Sequence, residues 1–138
     1  MKHLKNKLLV LTLLVFSGLL MTNCGSKKNE SEKETIKIGA ILPLTGPAAI
    51  YGEQVRSGQQ KALKYLNENV LVGKKIEIIF EDGKGVPRES VNSYMKLRNQ
   101  DVEIFTTTLS SVSLALVPQA KSDSVLLFAD AAHPKITS

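Results

Sequence analysis

From Ile36 onward, apolar residues recur with two alternating periods. "IKIGAIL" (36–42), "KIEIIFE" (75–81), "VEIFTTT" (102–108) and "VLLFADA" (125–131) are short, rich in β-branched side chains and bounded by turn formers, which predicts four strands. Between the first two, "YGEQVRSGQQKALKYLNE" sets Val55, Gln59, Ala62 and Leu66 at helical spacing, with Gly58 small enough for close packing, and predicts a helix over about residues 52–68. A second helix follows the turn "EDGKGVP", where Pro87 suits a first helical position and Val91, Tyr94, Met95 and Arg98 recur on one side. A third is expected from about Ser111 to Asp123, with Val112, Ala115, Leu116, Gln119 and Ala120 facing inward. Pro118 removes one backbone bond from that helix and could bend it.

Strand and helix in alternation, with short connections, predict an α/β fold: an open parallel sheet joined by right-handed crossovers, in the flavodoxin-like order 2-1-3-4. Such a sheet opens a ligand crevice where connections leave the first strand in opposite directions, at the carboxyl ends of strands one and three. The stretch after the third strand is "TTTLSSVS", residues 106–113. Six of its eight residues carry a hydroxyl, more than one helix cap requires, so part of the cluster is expected to face a ligand.

The first 35 residues do not share the pattern. "MKHLKNK" carries Lys2, Lys5 and Lys7, and "LLVLTLLVFSGLLM" (8–21) has no charge, which is the basic-then-apolar order of an export signal. That run is short for a membrane span, which needs about 20 residues. Cys24 follows it and, as the only cysteine, cannot form an internal disulfide. "LLMTNC" resembles a bacterial lipoprotein box, although Asn23 stands where a small residue is usual. The resemblance implies cleavage before Cys24 and lipid on its sulfur; an uncleaved N-terminal anchor is the alternative. "GSKKNESEKET" (25–35) offers nothing to bury and reads as a solvated tether. The expected organisation is a lipoprotein signal over residues 1–23, the lipidated cysteine and tether over 24–35, and a ligand-binding lobe over 36–138.

Charge then adds little. The chain has 18 basic and 13 acidic residues, net +5, but three of the lysines sit in the signal, leaving a mature charge of +2 and little support for a nucleic-acid partner.

"IKIGAILPLTGPAAIYGEQVRSGQQKAL" resembles the opening of the branched-chain amino acid binding protein family, the type 1 periplasmic solute receptors of ABC transporters. Its marks are a strand ending in Pro-Leu-Thr-Gly, a loop tyrosine before glycine, and a helix with glycine beside its apolar face. "GKKIEIIFEDGKGVPRESVNSYMKL" and "LSSVSLALVPQAKSDSVLLFADAAHPKIT" match the next two segments, so the resemblance spans nearly all of residues 36–138. It implies a two-lobed fold of the periplasmic binding protein type, of which this chain carries part of the first lobe and lacks the second. It further implies a small amino acid or related solute as ligand, an ABC permease as partner, a lipid-anchored extracytoplasmic location, no cofactor and no enzymatic activity.

Carried over by position, the pocket of this lobe falls on Tyr51, Ser110, Ser111, Ala131 and His133. Ser110 and Ser111 begin a helix, where free N–H groups and the dipole favour an anion such as an amino acid carboxylate. Ser111 is expected to cap that helix and Ser110 to meet the ligand; capping by both is the alternative. Ala131 would offer its backbone to the ligand's ammonium group or to a neighbouring amide. His133 replaces the Thr or Ser common at its place, and a bulkier, chargeable imidazole leaves the ligand class open. Its alternative is a plain loop residue before Pro134. Tyr51 could cover an apolar ligand side chain from the rim with its hydroxyl in water, or staple onto the first helix.

Two other classes compete. A flavin- or nucleotide-binding α/β enzyme domain would need a phosphate cradle in "PLTGPAAIYG", which has no run of hydroxyls and loses a backbone donor at Pro47. A ligand-sensing ectodomain could use the same fold without a permease. Catalysis finds few candidates: Cys24 is expected to be lipidated, His3 leaves with the signal, and His133 has no assigned partner. "EDGKG" has two adjacent acids without the spaced oxygen ligands of a calcium loop, and reads as a strand end and turn.

Overall fold

The computed structural model describes residues 34–136; the expected signal, Cys24 and nearly all of the tether lie outside them. The order is β1 (Glu34–Leu42), α1 (Ala49–Asn69), β2 (Lys74–Asp82), α2 (Pro87–Arg98), β3 (Ile104–Thr108), α3 (Ser110–Asp123), β4 (Leu126–Asp130) and a 3-10 turn at Pro134–Ile136. The four strands pair in parallel in the order β2-β1-β3-β4, as the alternation of periods predicts.

Side chains alternate across a strand, so each strand feeds both faces of the sheet. One face receives α2 and α3. There Ile41, Tyr94, Leu97, Val102, Phe105, Val112 and Leu116 close into a core, with Ile79, Val91, Leu109, Val125 and Leu127 packed against it. The Tyr94 and Phe105 rings meet at 4.6 Å between centroids, tilted by 39°. Gly39 lets this core close down on β1, since a methyl group there would lie 2.8 Å from Leu97 Cδ1 and 3.1 Å from both Phe105 and Val102. The Tyr94 hydroxyl donates to Asp123 Oδ2 at 2.7 Å, and Arg98 Nη1 donates to the Val102 carbonyl at 2.6 Å, so α2 is tied to α3 and to the approach to β3. Burial, the hydrogen bond to Asp123 and that carboxylate's charge push the Tyr94 phenol well above its ordinary range, with Arg98 opposing.

The other face receives α1. Gln59 Nε2 donates to Thr106 Oγ1 at 3.2 Å, on the opposite side of β3 from Phe105. Helix α1 also holds the start of β2, because the Asn67 amide accepts from Ile76 N–H and donates to the Ile76 carbonyl, both at 2.9 Å.

Several expected details change. Glu34 and Thr35, assigned to the tether, pair with Lys74 and Lys75 in the β1–β2 ladder. Helix α1 starts at Ala49, which places Tyr51 in its first turn and not in a loop. The small residue that matters in α1 is Gly52: a methyl there would collide with the Pro43 carbonyl, whereas nothing lies within 4 Å of the position a methyl would take at Gly58. Ala62 is exposed, and Leu63 and Leu66 carry the half-buried side. Val102 is fully buried but precedes β3, in the turn that closes α2. Helix α3 runs through the exposed Pro118 to Asp123.

Candidate ligand-binding crevice

The ladders level the carboxyl ends of the strands: Leu42 pairs with Asp82, Ile41 with Thr107, and Thr108 with Asp130. Chain leaving β1 turns toward β2, and chain leaving β3 turns toward β4. The residues after β1 and β3 therefore form the two walls of the switch point, where open α/β sheets take their ligands.

The first wall is the loop 43–48 and the start of α1. Asp82, at the end of β2, holds this loop. Its Oδ1 accepts from the Leu44, Thr45 and Lys84 amides at 2.9, 3.3 and 2.8 Å, and its Oδ2 accepts from Thr45 Oγ1 at 2.5 Å. Burial pushes the Asp82 carboxyl up, but the bonds from the Thr45 hydroxyl and the three amides outweigh it and hold the pKa below the ordinary 3.8. The adjacent acids of "EDGKG" thus end a strand and start a turn, as expected, with Glu81 paired to Lys96 Nζ at 2.7 Å. Among the described residues no group of three His, Cys, Asp or Glu side chains could hold a metal ion.

The second wall is the start of α3. Its N-cap residue is Leu109, at φ 73° and ψ 127°, and no side chain caps the helix. The expected cap at Ser111 is therefore not made: backbone geometry puts the cap position two residues earlier, and Ser111 is an exposed residue inside the helix. Positive φ outside the left-handed well is costly for a leucine. It is held by the Leu109 side chain packing on the core and by the Leu109 carbonyl, which accepts from both the Ser113 amide and the Ser113 hydroxyl at 3.0 Å. The amides ahead of Ser113 are the unsatisfied donors of a helix start, on the positive end of its dipole.

The hydroxyls of "TTTLSSVS" can now be sorted. Thr106 accepts from Gln59, Thr107 donates to the Thr108 carbonyl at 3.4 Å, Thr108 is buried, and Ser113 closes onto Leu109. These serve the fold. Ser110, half-buried at the first helical position, and Ser111, exposed beside it, have no such role.

Tyr51 stands 61% exposed in the first turn of α1. Ala131 is half-buried just past the end of β4, and His133 follows. His133 Nδ1 accepts from the Lys135 amide at 3.2 Å and its carbonyl from the Ile136 amide at 3.1 Å, so the imidazole starts the 3-10 turn and only Nε2 is left to donate outward. The strand order thus sets Ser110 and Ser111 beside the loop after β1 on one side and beside Ala131 and His133 on the other. Sequence reasoning did not identify Asp82, Thr45 or Leu109. Only the strand-end position of Asp82 was visible, since its partners in the loop after β1 depend on the sheet register.

Residues 35–137 match a family model described as periplasmic binding protein. The Leu/Ile/Val-binding protein BraC3 of Rhizobium johnstonii is 34% identical over 77 residues, covering 55% of this chain and 21% of that protein. The branched-chain amino acid substrate-binding protein LivJ of Streptococcus pneumoniae, solved with isoleucine, superposes with a TM-score of 0.67 at 28% identity, over 75% of this chain and 31% of its own. An ABC transporter solute-binding protein of Rhodopseudomonas palustris, solved with 3,4-dihydroxybenzoic acid, superposes with a TM-score of 0.66 at 29% identity, over 75% of this chain and 29% of its own. The chain thus spans between a fifth and a third of the length of these proteins.

Proposed function

The chain belongs to the periplasmic binding protein family, and on that premise we propose that it carries the first ligand-binding lobe of an extracytoplasmic receptor that delivers a branched-chain amino acid to an ABC importer. The observation that supports this most is the uncapped start of α3 at the switch point, with its free amides and the half-buried Ser110 at the first helical position. Such a helix start suits a carboxylate. Isoleucine and 3,4-dihydroxybenzoic acid, the ligands of the two structural relatives, share that group and differ elsewhere. Ser110 would then donate to the carboxylate together with a first-turn amide, and Ser111 would line the outer edge. Tyr51 would cover the apolar side chain, while Ala131 and the outward Nε2 of His133 would face the polar remainder. This is binding chemistry, without a nucleophile or a cofactor.

Membership of the family implies an extracytoplasmic location. The basic-then-apolar start and Cys24 support a lipid anchor reached through the tether, with residues 1–23 removed. Labelled palmitate should enter the parent and not Cys24→Ala; equal labelling would remove the anchor from this reading. The function is tested by calorimetry on the full-length protein with L-leucine, L-isoleucine and 3,4-dihydroxybenzoate. Saturable binding of an aliphatic amino acid, with no flavin absorbance and no turnover, is expected. Preference for the aromatic acid would keep the carboxylate and change the ligand class, and co-purifying flavin would overturn the proposal.

A further inference from the structure

The loop after β2 touches both walls of the crevice without being either. A turn that only ends a strand needs one side-chain bond, and Asp82 makes it to the Lys84 amide. Yet the same carboxylate takes two further amides and a hydroxyl from Leu44 and Thr45, 38 and 37 residues earlier in the chain. Three residues on, Gly85 adopts φ +69°, and a methyl on it would lie 3.2 Å from Leu109 Cδ1, 3.5 Å from Pro43 Cβ and 3.8 Å from Ala48 Cβ. The two walls therefore meet across this loop.

Resting on the function proposed above, we infer that Asp82 is a positioning residue for the crevice, fixing the loop after β1 in the shape that sets Tyr51 at its rim. The path from one to the other is short. Leu44 and Thr45 follow Pro43, which is buried, and the Pro43 carbonyl packs directly on Gly52, where no side chain fits. Gly52 is the neighbour of Tyr51, and the Tyr51 and Gly52 amides both donate to the Ala48 carbonyl at 3.1 and 3.3 Å. A loop released from Asp82 would free Pro43, and the first turn of α1 would lose the surface it is seated on. Charge-assisted acceptors are the strong ones, so a single ionised carboxylate can hold four donors where an amide side chain would hold fewer.

The test uses the full-length protein with Asp82→Ala, Asp82→Asn and Thr45→Val, amide hydrogen exchange without ligand, and titration with L-leucine. Asp82→Ala should speed exchange at Leu44 and Thr45 by about tenfold or more and weaken L-leucine binding by about tenfold, the scale of one charged hydrogen bond. Asp82→Asn, which keeps an acceptor at Oδ1, should recover part of both, and Thr45→Val, which removes only the hydroxyl donor, should give a smaller loss of each. If Asp82→Ala does not fold, the other two variants carry the test. Faster loop exchange with parental L-leucine affinity would make Asp82 a stabilising residue only and overturn the inference, as would loop amides that exchange at the parental rate. A parent that binds no aliphatic amino acid would overturn the proposed function instead; the positioning role would then be read from the first turn of α1, and Tyr51 and Gly52 amides that exchange at the parental rate in Asp82→Ala would overturn it separately.

Discussion

The two faces of the sheet are fed by the same strands and end in different states. On the face under α2 and α3, Phe105, Tyr94, Leu97 and Leu116 are completely buried. On the face under α1, Leu126 and Phe128 of β4 are 58% and 62% exposed, although they alternate with Leu127, which joins the core. The difference is one of coverage: among the described residues, two helices on one side close over four strands, while α1, seated over β1 and β2 and reaching β3 through Gln59, leaves β4 open on the other. Apolar pattern decides which side chains leave the same side of a strand, and a helix above them decides whether they are dry.

That contrast can be broken by paired substitutions. Phe105→Ala should cost about 3–5 kcal/mol, the usual loss for a buried aromatic, whereas Phe128→Ala should stay within about 0.5–1 kcal/mol. Chemical denaturation measures both. A loss at Phe128 approaching that at Phe105 would show that the second face is covered by something outside the described residues. Within the closed face, Asp123→Ala should cost about 1–3 kcal/mol, because the Tyr94 hydroxyl keeps its burial and loses its acceptor; Tyr94→Phe combined with Asp123→Ala should recover part of it.

A third expectation concerns acid. The Asp82 carboxyl is depressed in the folded chain, so its contribution is fully present above the unfolded value, about 4, and is lost as pH falls through the lower folded value. Asp82→Asn should therefore be less stable at neutral pH and flatten the loss of stability below about pH 4; parallel parent and variant curves there would contradict it. Smallest and opposite in sign, Gly58→Ala should stabilise α1 by about 0.5–1 kcal/mol, because the position is exposed, helical and open. The same change at Gly52 should destabilise.

These glycines show where the sequence was legible and where it was not. The alternation of periods carries the elements and the parallel α/β class, because apolar spacing is a local property; the 2-1-3-4 order was the flavodoxin-like expectation for that class, and the strand pairing bears it out. Close packing is not local: Gly58 sits beside the apolar residues of α1 in sequence, but Gly52 is the one that Pro43 crosses. The cap of α3 was misplaced for a related reason. Ser is the usual cap by composition, but the cap position is set by backbone conformation, and Leu109 holds the unusual one because its side chain is anchored in the core. Of the six hydroxyls whose excess suggested a ligand role, four turn out to serve the fold, and the proposal rests on Ser110 and Ser111 alone. Asp82 was legible only as a strand end.

The sorting of those hydroxyls leads to the most direct measurement. Ser110→Ala and Ser111→Ala in the full-length protein, compared by thermal melts without ligand and by titration with L-leucine, separate fold from site. Neither serine caps α3, so both variants should keep stability within about 0.5 kcal/mol of the parent. Ser110→Ala should weaken L-leucine binding by about 1.5–3 kcal/mol, roughly ten- to a hundredfold, as for a hydrogen bond to a charged group. Parental binding by Ser110→Ala would contradict a bond from the Ser110 hydroxyl to the ligand and leave the hydroxyls at the start of α3 without a ligand role.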